Sequence, residues 1–243
     1  MIRGCVDSIE SFGLVDGPGI RTVVFMSGCK LRCKYCHNPE MWVMKEFNYT
    51  PEELAQKIIR NKPYFNRNNG GVTFSGGEPL LQSEFIIEVC KVLKQENIHI
   101  ALDTAGVGIG NYDEILTYID LVILDIKHIS KDGYYDLTSF NMDEALRFID
   151  SLNNSGKRVW IRQVIVPGVM DNDDYLKGLC DFLRNIKNIE KIEFLPYHSM
   201  GKEKYNKLGI KYPYADIVDM DKNECSKLYQ KFMLMYNNEV KQN

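Results

Sequence analysis

Short apolar runs alternate with amphipathic stretches along most of the chain. The runs at 22–26 (TVVFM), 71–74 (GVTF), 98–102 (IHIAL), 121–125 (LVILD), 158–166 (RVWIRQVIV) and 191–195 (KIEFL) are mostly apolar throughout. That pattern predicts parallel strands covered on both faces. Between them apolar positions recur with helical period. Thr50-Pro51-Glu52-Glu53 spells a capping box with proline at the first helical position, and predicts a helix to about Ile59. Ser83 is the expected cap of the next, with Ile86, Ile87, Cys90, Val92 and Leu93 facing inward. A weaker pattern spans 112–119, and Asn141 with Glu144 opens a helix that buries Ala145, Leu146, Ile149 and Leu152. Tyr175, Leu176, Leu179, Leu183 and Ile186 mark a fifth helix, and Leu228, Tyr229, Phe232 and Met235 a last one over about 222–236.

Six βα units in series predict a parallel sheet with right-handed crossovers. A complete eight-unit barrel takes about 250 residues, so six units with long loops fit 243 residues better. The expected fold is α/β, a partial (βα)6 TIM-like barrel, with residues 1–243 forming one domain.

The polar residues sharpen this picture by where they fall. The first strand leads into a cysteine-rich loop, and the second ends in Ser75-Gly76-Gly77-Glu78-Pro79. Asp103-Thr104-Ala105-Gly106 follows the third, Asp125-Ile126-Lys127 the fourth, and Pro196-Tyr197-His198 the sixth; Arg162 lies within the fifth. Parallel α/β barrels place their active sites at these carboxyl ends. Each element also has a plain structural reading: a turn at SGGEP, a helix cap at Asp103, a solvated ion pair at Asp125 and Lys127, a packed ring at His198. Their convergence on one mouth argues for a site.

Composition excludes more than it assigns. With 44% hydrophobic and 26% charged residues and a net charge of −3, the chain reads as a globular protein with no electrostatic bias toward nucleic acid. No apolar run reaches the length of a membrane span. The first 20 residues carry Arg3, Asp7, Glu10 and Asp16 in place of a signal-peptide core, so a cytoplasmic location is expected. Seven cysteines, an odd number, do not suggest a disulfide framework. Cys90, Cys180 and Cys225 fall on apolar helical faces and, with Cys5, read as small buried hydrophobes.

The other three, Cys29, Cys33 and Cys36, stand within eight residues. Iron–sulfur clusters are normally held by four thiolates, so three with no evident fourth suggest a cubane with one iron left open. Rival readings remain. Cys33-Lys34-Tyr35-Cys36-His37 matches a c-type haem attachment signature. Cys29, Cys33, Cys36 and His37 would complete a zinc set, and a redox pair would need a thioredoxin-like setting.

At these residues the chain resembles the radical S-adenosylmethionine enzymes: Cys29-x3-Cys33-x2-Cys36 carries aromatic Tyr35 before the last cysteine. Across nearly its whole length it resembles the glycyl-radical enzyme activases. That likeness rests on Asp16-Gly17-Pro18-Gly19-Ile20-Arg21, Cys36-His37-Asn38, SGGEP at 75–79, LDTAG at 102–106, LDIK at 124–127, WIRQVIVPG at 160–168 and LPYHSMG at 195–201. Residues 37–70 contain no cysteine, so the ferredoxin-like insert of many activases is absent, which points to pyruvate formate-lyase as the target. An activase of another insert-free glycyl-radical enzyme, and a radical enzyme acting on a small molecule, are the alternatives. A metal-binding or electron-transfer module leaves Lys127, Arg162 and His198 without a role. Ala105, where relatives often carry Asn, and Ser199-Met200 depart from the family pattern.

The resemblance implies that Cys29, Cys33 and Cys36 hold a [4Fe–4S] cluster that cleaves S-adenosylmethionine reductively. The resulting 5′-deoxyadenosyl radical would take a hydrogen from a glycine of the partner. It implies cofactor contacts from Tyr35, Cys36, His37, Gly77, Asp103, Asp125, Ile126, Lys127, Arg162 and His198. It further implies a monovalent cation (Na+ or K+) at Asp103, Thr104 and Asp125, and a peptide clamp from Asp16, Gly17, Gly19, Arg21 and His37. Flavodoxin or ferredoxin would be the electron donor, and the protein is expected to be a monomer.

Overall fold

In a computed structural model that describes residues 2–65 and 69–240, seven strands form one sheet in sequence order. They are β1 (Val6–Gly13), β2 (Arg21–Met26), β3 (Gly71–Gly76), β4 (His99–Thr104), β5 (Leu121–Asp125), β6 (Arg158–Ile165) and β7 (Ile189–Pro196). From β2 to β7 every neighbouring pair is parallel. Helices in the connections cover the outer face, so the sheet is an open barrel of six βα units. β1 is the addition. It runs antiparallel to β2 with two register shifts, and its sequence VDSIESFG is mostly polar and mostly solvent-accessible.

The predicted helices form with adjusted ends. Thr50 caps Pro51–Ile59 in a full capping box with Glu53. Ser83 does not cap its helix. A 3-10 turn at Pro79–Gln82 precedes it, capped by the Glu78 carboxylate, so Ser83 becomes the first residue of Ser83–Gln95. Pro79 sets that earlier start, having no amide proton to lose and a φ already suited to the first turn. Asn141 forms a turn two residues before Asp143–Ser155, accepting from the Asp143 amide at 2.9 Å. Asn172 caps Asp173–Leu183, and the last helix runs Lys222–Val240. Lys62–Phe65, Lys131–Thr138 and Lys202–Lys207 are helices too short or too polar to show a periodic apolar face.

Two apolar layers result. The larger lies between the sheet and its helices. Inside the curve Ala101, Leu121 and Ile123 pack together, backed by Trp160. Side chains two apart on a strand share a face. Asp103 therefore stands above Ala101, Asp125 above Ile123 and Arg162 above Trp160. The interior is dry toward the amino ends of the strands and charged toward their carboxyl ends.

Candidate functional site

The cysteine loop leaves β2 through Gly28, whose φ of +94° suits glycine. Backbone bonds then pin it from two sides. Gly28 and Cys29 donate to the carbonyls of Met41 and Trp42, at 2.8 and 3.2 Å, and Arg32 and Lys34 donate to Thr138 and Leu137, at 2.7 and 2.9 Å. The three thiols are free. Burial pushes Cys29 and Cys33 up to about 12 and raises Cys36 as well. Without a metal these thiols hold their protons at neutral pH, and metal binding must displace them. Among the described residues, no three His, Cys, Asp or Glu side chains converge closely enough to hold one ion.

Ser75 and Gly76 end β3, and Gly77 follows it, against the start of this loop. A Cβ at Gly76 would lie 2.5 Å from the Met26 nitrogen, and one at Gly77 2.2 Å from the Gly28 oxygen. The double glycine is thus required for two backbones to touch, before any ligand is considered. Glu78 follows, fully buried. It accepts from the Thr104 hydroxyl at 2.5 Å, the Ala105 amide at 2.9 Å and the Leu80 amide at 3.1 Å. Burial lifts it to about 7 in spite of these donors. The carboxylate stitches the end of β3 to the end of β4.

Across the mouth, Ser75 donates to Asp103 at 2.7 Å and Lys127 to Asp125 at 2.5 Å. Arg162 stands among three carboxylates: Glu193 at 3.3 Å, Asp103 at 3.4 Å and Asp16 at 3.7 Å. Burial raises the Asp103 pKa, with Arg162 and Ser75 opposing it. For Lys127 burial works against the charge, but Asp125, Tyr35 and Cys33 outweigh it and hold the ammonium protonated. His37 stacks on His198, with centroids 3.9 Å apart, and its Nε2–H donates to the His198 carbonyl at 2.9 Å. Lys204 bridges Asn38 and Glu40 at 2.6 and 2.5 Å, drawing the segment after β7 onto the cysteine loop.

These groups enclose a cavity of about 550 Å³. The three cysteines line it together with Asp103, Asp125, Lys127, Arg162 and His198, with Tyr35, His37, Gly77, Thr104 and Asp16 also at its surface. Asp125 Oδ1, His198 Nδ1 and the Tyr35 hydroxyl are buried without a hydrogen-bond partner. Buried polar atoms left so are costly, and three beside one cavity point to a polar ligand.

Some expected residues lie elsewhere. Ile126 is in the core, its amide donating to the Arg162 carbonyl at 2.8 Å. Gly17 and Gly19, at φ of +129° and +68°, shape the loop after β1 and are not on the cavity wall. Arg21 is fully buried at the opposite end of the barrel interior. Each of its three guanidinium nitrogens is engaged within the fold, donating to Thr73 Oγ1, the Pro18 carbonyl and the Val72 carbonyl, and its burial keeps it from a peptide. The Thr104 hydroxyl is committed to Glu78. Ser75 and Gly76, of the SGGEP segment, line the cavity beside Gly77; Asn38 and Trp42 line it as well and had no expected role. Glu78 had one visible signal, a charge wedged between glycine and proline where a strand ends.

A family model described as "4Fe-4S single cluster domain" matches residues 15–154. The pyruvate formate-lyase-activating enzyme of Clostridium pasteurianum is 53% identical over 231 residues, covering 94% of this chain and 96% of its own. That of Staphylococcus epidermidis is 40% identical over 239 residues, 95% of each chain. Among solved structures, a radical SAM methyltransferase from Sphaerobacter thermophilus superposes with a TM-score of 0.66 at 17% identity. The match covers 96% of this chain and 75% of that one, a likeness of fold.

Proposed function

The chain belongs to the family of the pyruvate formate-lyase-activating enzymes, radical SAM proteins, and from that premise we propose that it installs a glycyl radical on pyruvate formate-lyase. The observation that carries the reading is the shared cavity, which three thiols line together with a set of charged groups and orphaned polar atoms. When bound, a [4Fe–4S] cluster supplies the electron that splits S-adenosylmethionine into methionine and a 5′-deoxyadenosyl radical, which abstracts hydrogen from the partner's glycine.

The chain's own residues bind, orient and exclude water. Cys29, Cys33 and Cys36 give up their protons to hold the cluster. The methionyl amine is a donor and needs acceptors; the Gly77 amide is itself a donor and already bonded to the Met26 carbonyl. We therefore assign the amine to carbonyl oxygens of the 75–77 segment. Three carboxylates and two cations line the cavity, and Glu193 adds another carboxylate behind Arg162. That imbalance favours a ligand of net positive charge, which S-adenosylmethionine is. Asp125 Oδ1 and His198 Nδ1 offer free polar atoms for ribose and adenine, and Tyr35, whose hydroxyl is likewise unpartnered, lines the cavity with them. Asp103 and Asp125 supply hard oxygen for a monovalent cation beside the cofactor carboxylate; Thr104 would join through its carbonyl, since its hydroxyl serves Glu78. His37 and Asp16 sit at the rim where a peptide glycine would enter. We assign the whole site to a single domain, with flavodoxin or ferredoxin as donor, acting as a monomer in the cytoplasm; no described helix is long and apolar enough to cross a membrane.

The test is anaerobic. Reconstituted, reduced protein receives S-adenosylmethionine and pyruvate formate-lyase, and the EPR spectrum is recorded. A glycyl-radical doublet dependent on both proteins is the expected result. Formation of 5′-deoxyadenosine with no doublet would redirect the reading to another partner, and neither signal from an intact cluster would overturn it.

A further inference from the structure

The cavity is charged within, yet its rim is apolar. Among the described residues, the four most exposed large apolar side chains are Met200 (79% exposed), Val15 and Val218 (74% each) and Leu14 (71%). All four belong to segments held at the mouth. Leu14 and Val15 lie in the loop after β1. Arg162, a cavity residue, donates to the Val15 carbonyl, and Asp16 beside it lines the cavity. Met200 stands two residues beyond His198, another lining residue. The segment of Val218 is fastened alongside: the Asp219 carboxylate accepts from the Ser199 amide at 2.7 Å, and the Met220 amide donates to the Tyr197 carbonyl at 2.8 Å. Leu195, partly exposed, joins this side from the cavity wall.

Single exposed apolar side chains are ordinary on a protein surface. Their gathering around one opening is not, since apolar patches mark places that another molecule covers. A small polar substrate that passed into the cavity would leave this rim wet. A peptide would cover it, laying its backbone over the charged interior and its side chains on the edges. In an extended chain residues two apart share a face and lie roughly 6.5 Å apart. The side chains two before and two after a residue held over the cavity therefore point the same way as it does, one toward each edge.

We propose that Leu14 and Val15 on one segment, with Met200 and Val218 on the other, form the docking rim for a protein substrate. The occupant is an extended segment that sets a glycine over the cavity and an apolar side chain at the second position on either side of it. The proposal rests on the glycyl-radical reading above for the glycine, and adds that the flanking side chains set specificity. These four residues act on the affinity for the partner and leave cofactor binding to the charged groups beneath.

Two fluorescently labelled nonapeptides with a central glycine serve as probes, one with leucine and one with serine at the second position on either side. Anisotropy is recorded with reconstituted, unreduced protein and S-adenosylmethionine, so binding is read without turnover. The leucine peptide is expected to bind about tenfold more tightly, from the apolar area it removes from water. Leu14→Ser/Met200→Ser, at two exposed positions, is expected to abolish that preference. Equal affinity for the two peptides, no binding of either, or a preference that survives the double substitution overturns the proposal. With pyruvate formate-lyase as substrate, the same variant is expected to raise KM about tenfold at unchanged kcat. It should form 5′-deoxyadenosine without partner at the parental rate. Leu234→Ser, which removes a comparably exposed side chain from the last helix, is expected to leave KM unchanged, and an equal rise there overturns the proposal. A parent that distinguishes the peptides but never acts on pyruvate formate-lyase would overturn that partner and uphold the rim.

Discussion

At the scale of single residues, burial decides which titratable groups matter. His99, at the start of β4, is held down to about 4 by burial and by the neighbouring Arg21, whose NH2 lies 3.3 Å from its Nδ1. An unfolded histidine titrates near 6.5. Between those values the unfolded chain binds a proton that the folded chain refuses, so stability rises with pH across that window. The contribution is fully present above about 6.5 and is lost as pH falls toward 4. His99→Gln keeps an acceptor for Arg21 and cannot titrate. In urea unfolding of the metal-free protein between pH 4 and 7, the variant is expected to lose less stability on acidification than the parent. Parallel curves would remove His99 from the acid response. Glu78 acts with the opposite sign. Its folded pKa of about 7 exceeds the unfolded value, so its contribution is present in acid and declines as pH rises from about 4.5 to 7. A His99 effect must therefore be read as a difference between variants, because the two windows overlap. Neither residue advertised this in sequence. His99 looked like an ordinary strand residue, because the arginine that shifts it is 78 positions away.

At the scale of elements, legibility followed periodicity and capping chemistry. The six parallel strands were readable because both of their faces are covered, which makes them continuous apolar runs. β1 was not, since an edge strand with one wet face carries Asp7 and Glu10 and resembles a loop. Helices with a wide apolar stripe were found; Lys202–Lys207, a single polar turn and a half, was not, although its Lys204 anchors the rim of the site. The capping box at Thr50 is the most local signal and the most directly testable. The Thr50 hydroxyl accepts from the Glu53 amide at 3.2 Å, and the Glu53 carboxylate accepts from the Thr50 amide at 2.8 Å. Thr50→Ala leaves an amide of the first turn without its partner. It should destabilise the protein by about 1 kcal/mol, read as a lower urea midpoint at unchanged slope. No shift would mean that solvent replaces the cap at this exposed helix start.

At the scale of the whole molecule, the site depends on closing a barrel that the sheet leaves open. β7 does not pair with β1 among the described residues; the loop after β1 crosses instead. Thr73 donates to the Asp16 carbonyl at 2.6 Å, and Arg162 donates to the Val15 carbonyl. Arg162 therefore joins that loop to β4 through Asp103 and to β7 through Glu193, across 147 positions at its longest link. Such a link is invisible to any local pattern; the sequence offers only an arginine within an apolar strand. Arg162→Gln would leave Asp16, Asp103 and Glu193 facing one another with no cation between them. Removing one partner of a buried ion pair costs about 3–5 kcal/mol, an upper bound here because the cavity admits water. Part of that strain is expected to be relieved by release of the crossing loop. Hydrogen exchange should then accelerate in residues 13–20 while the helix Ser83–Gln95 stays protected, and S-adenosylmethionine should bind at least tenfold more weakly at unchanged iron content. Faster exchange with parental affinity would separate loop closure from cofactor binding. Parental exchange would instead place the closure on Thr73 and the backbone alone.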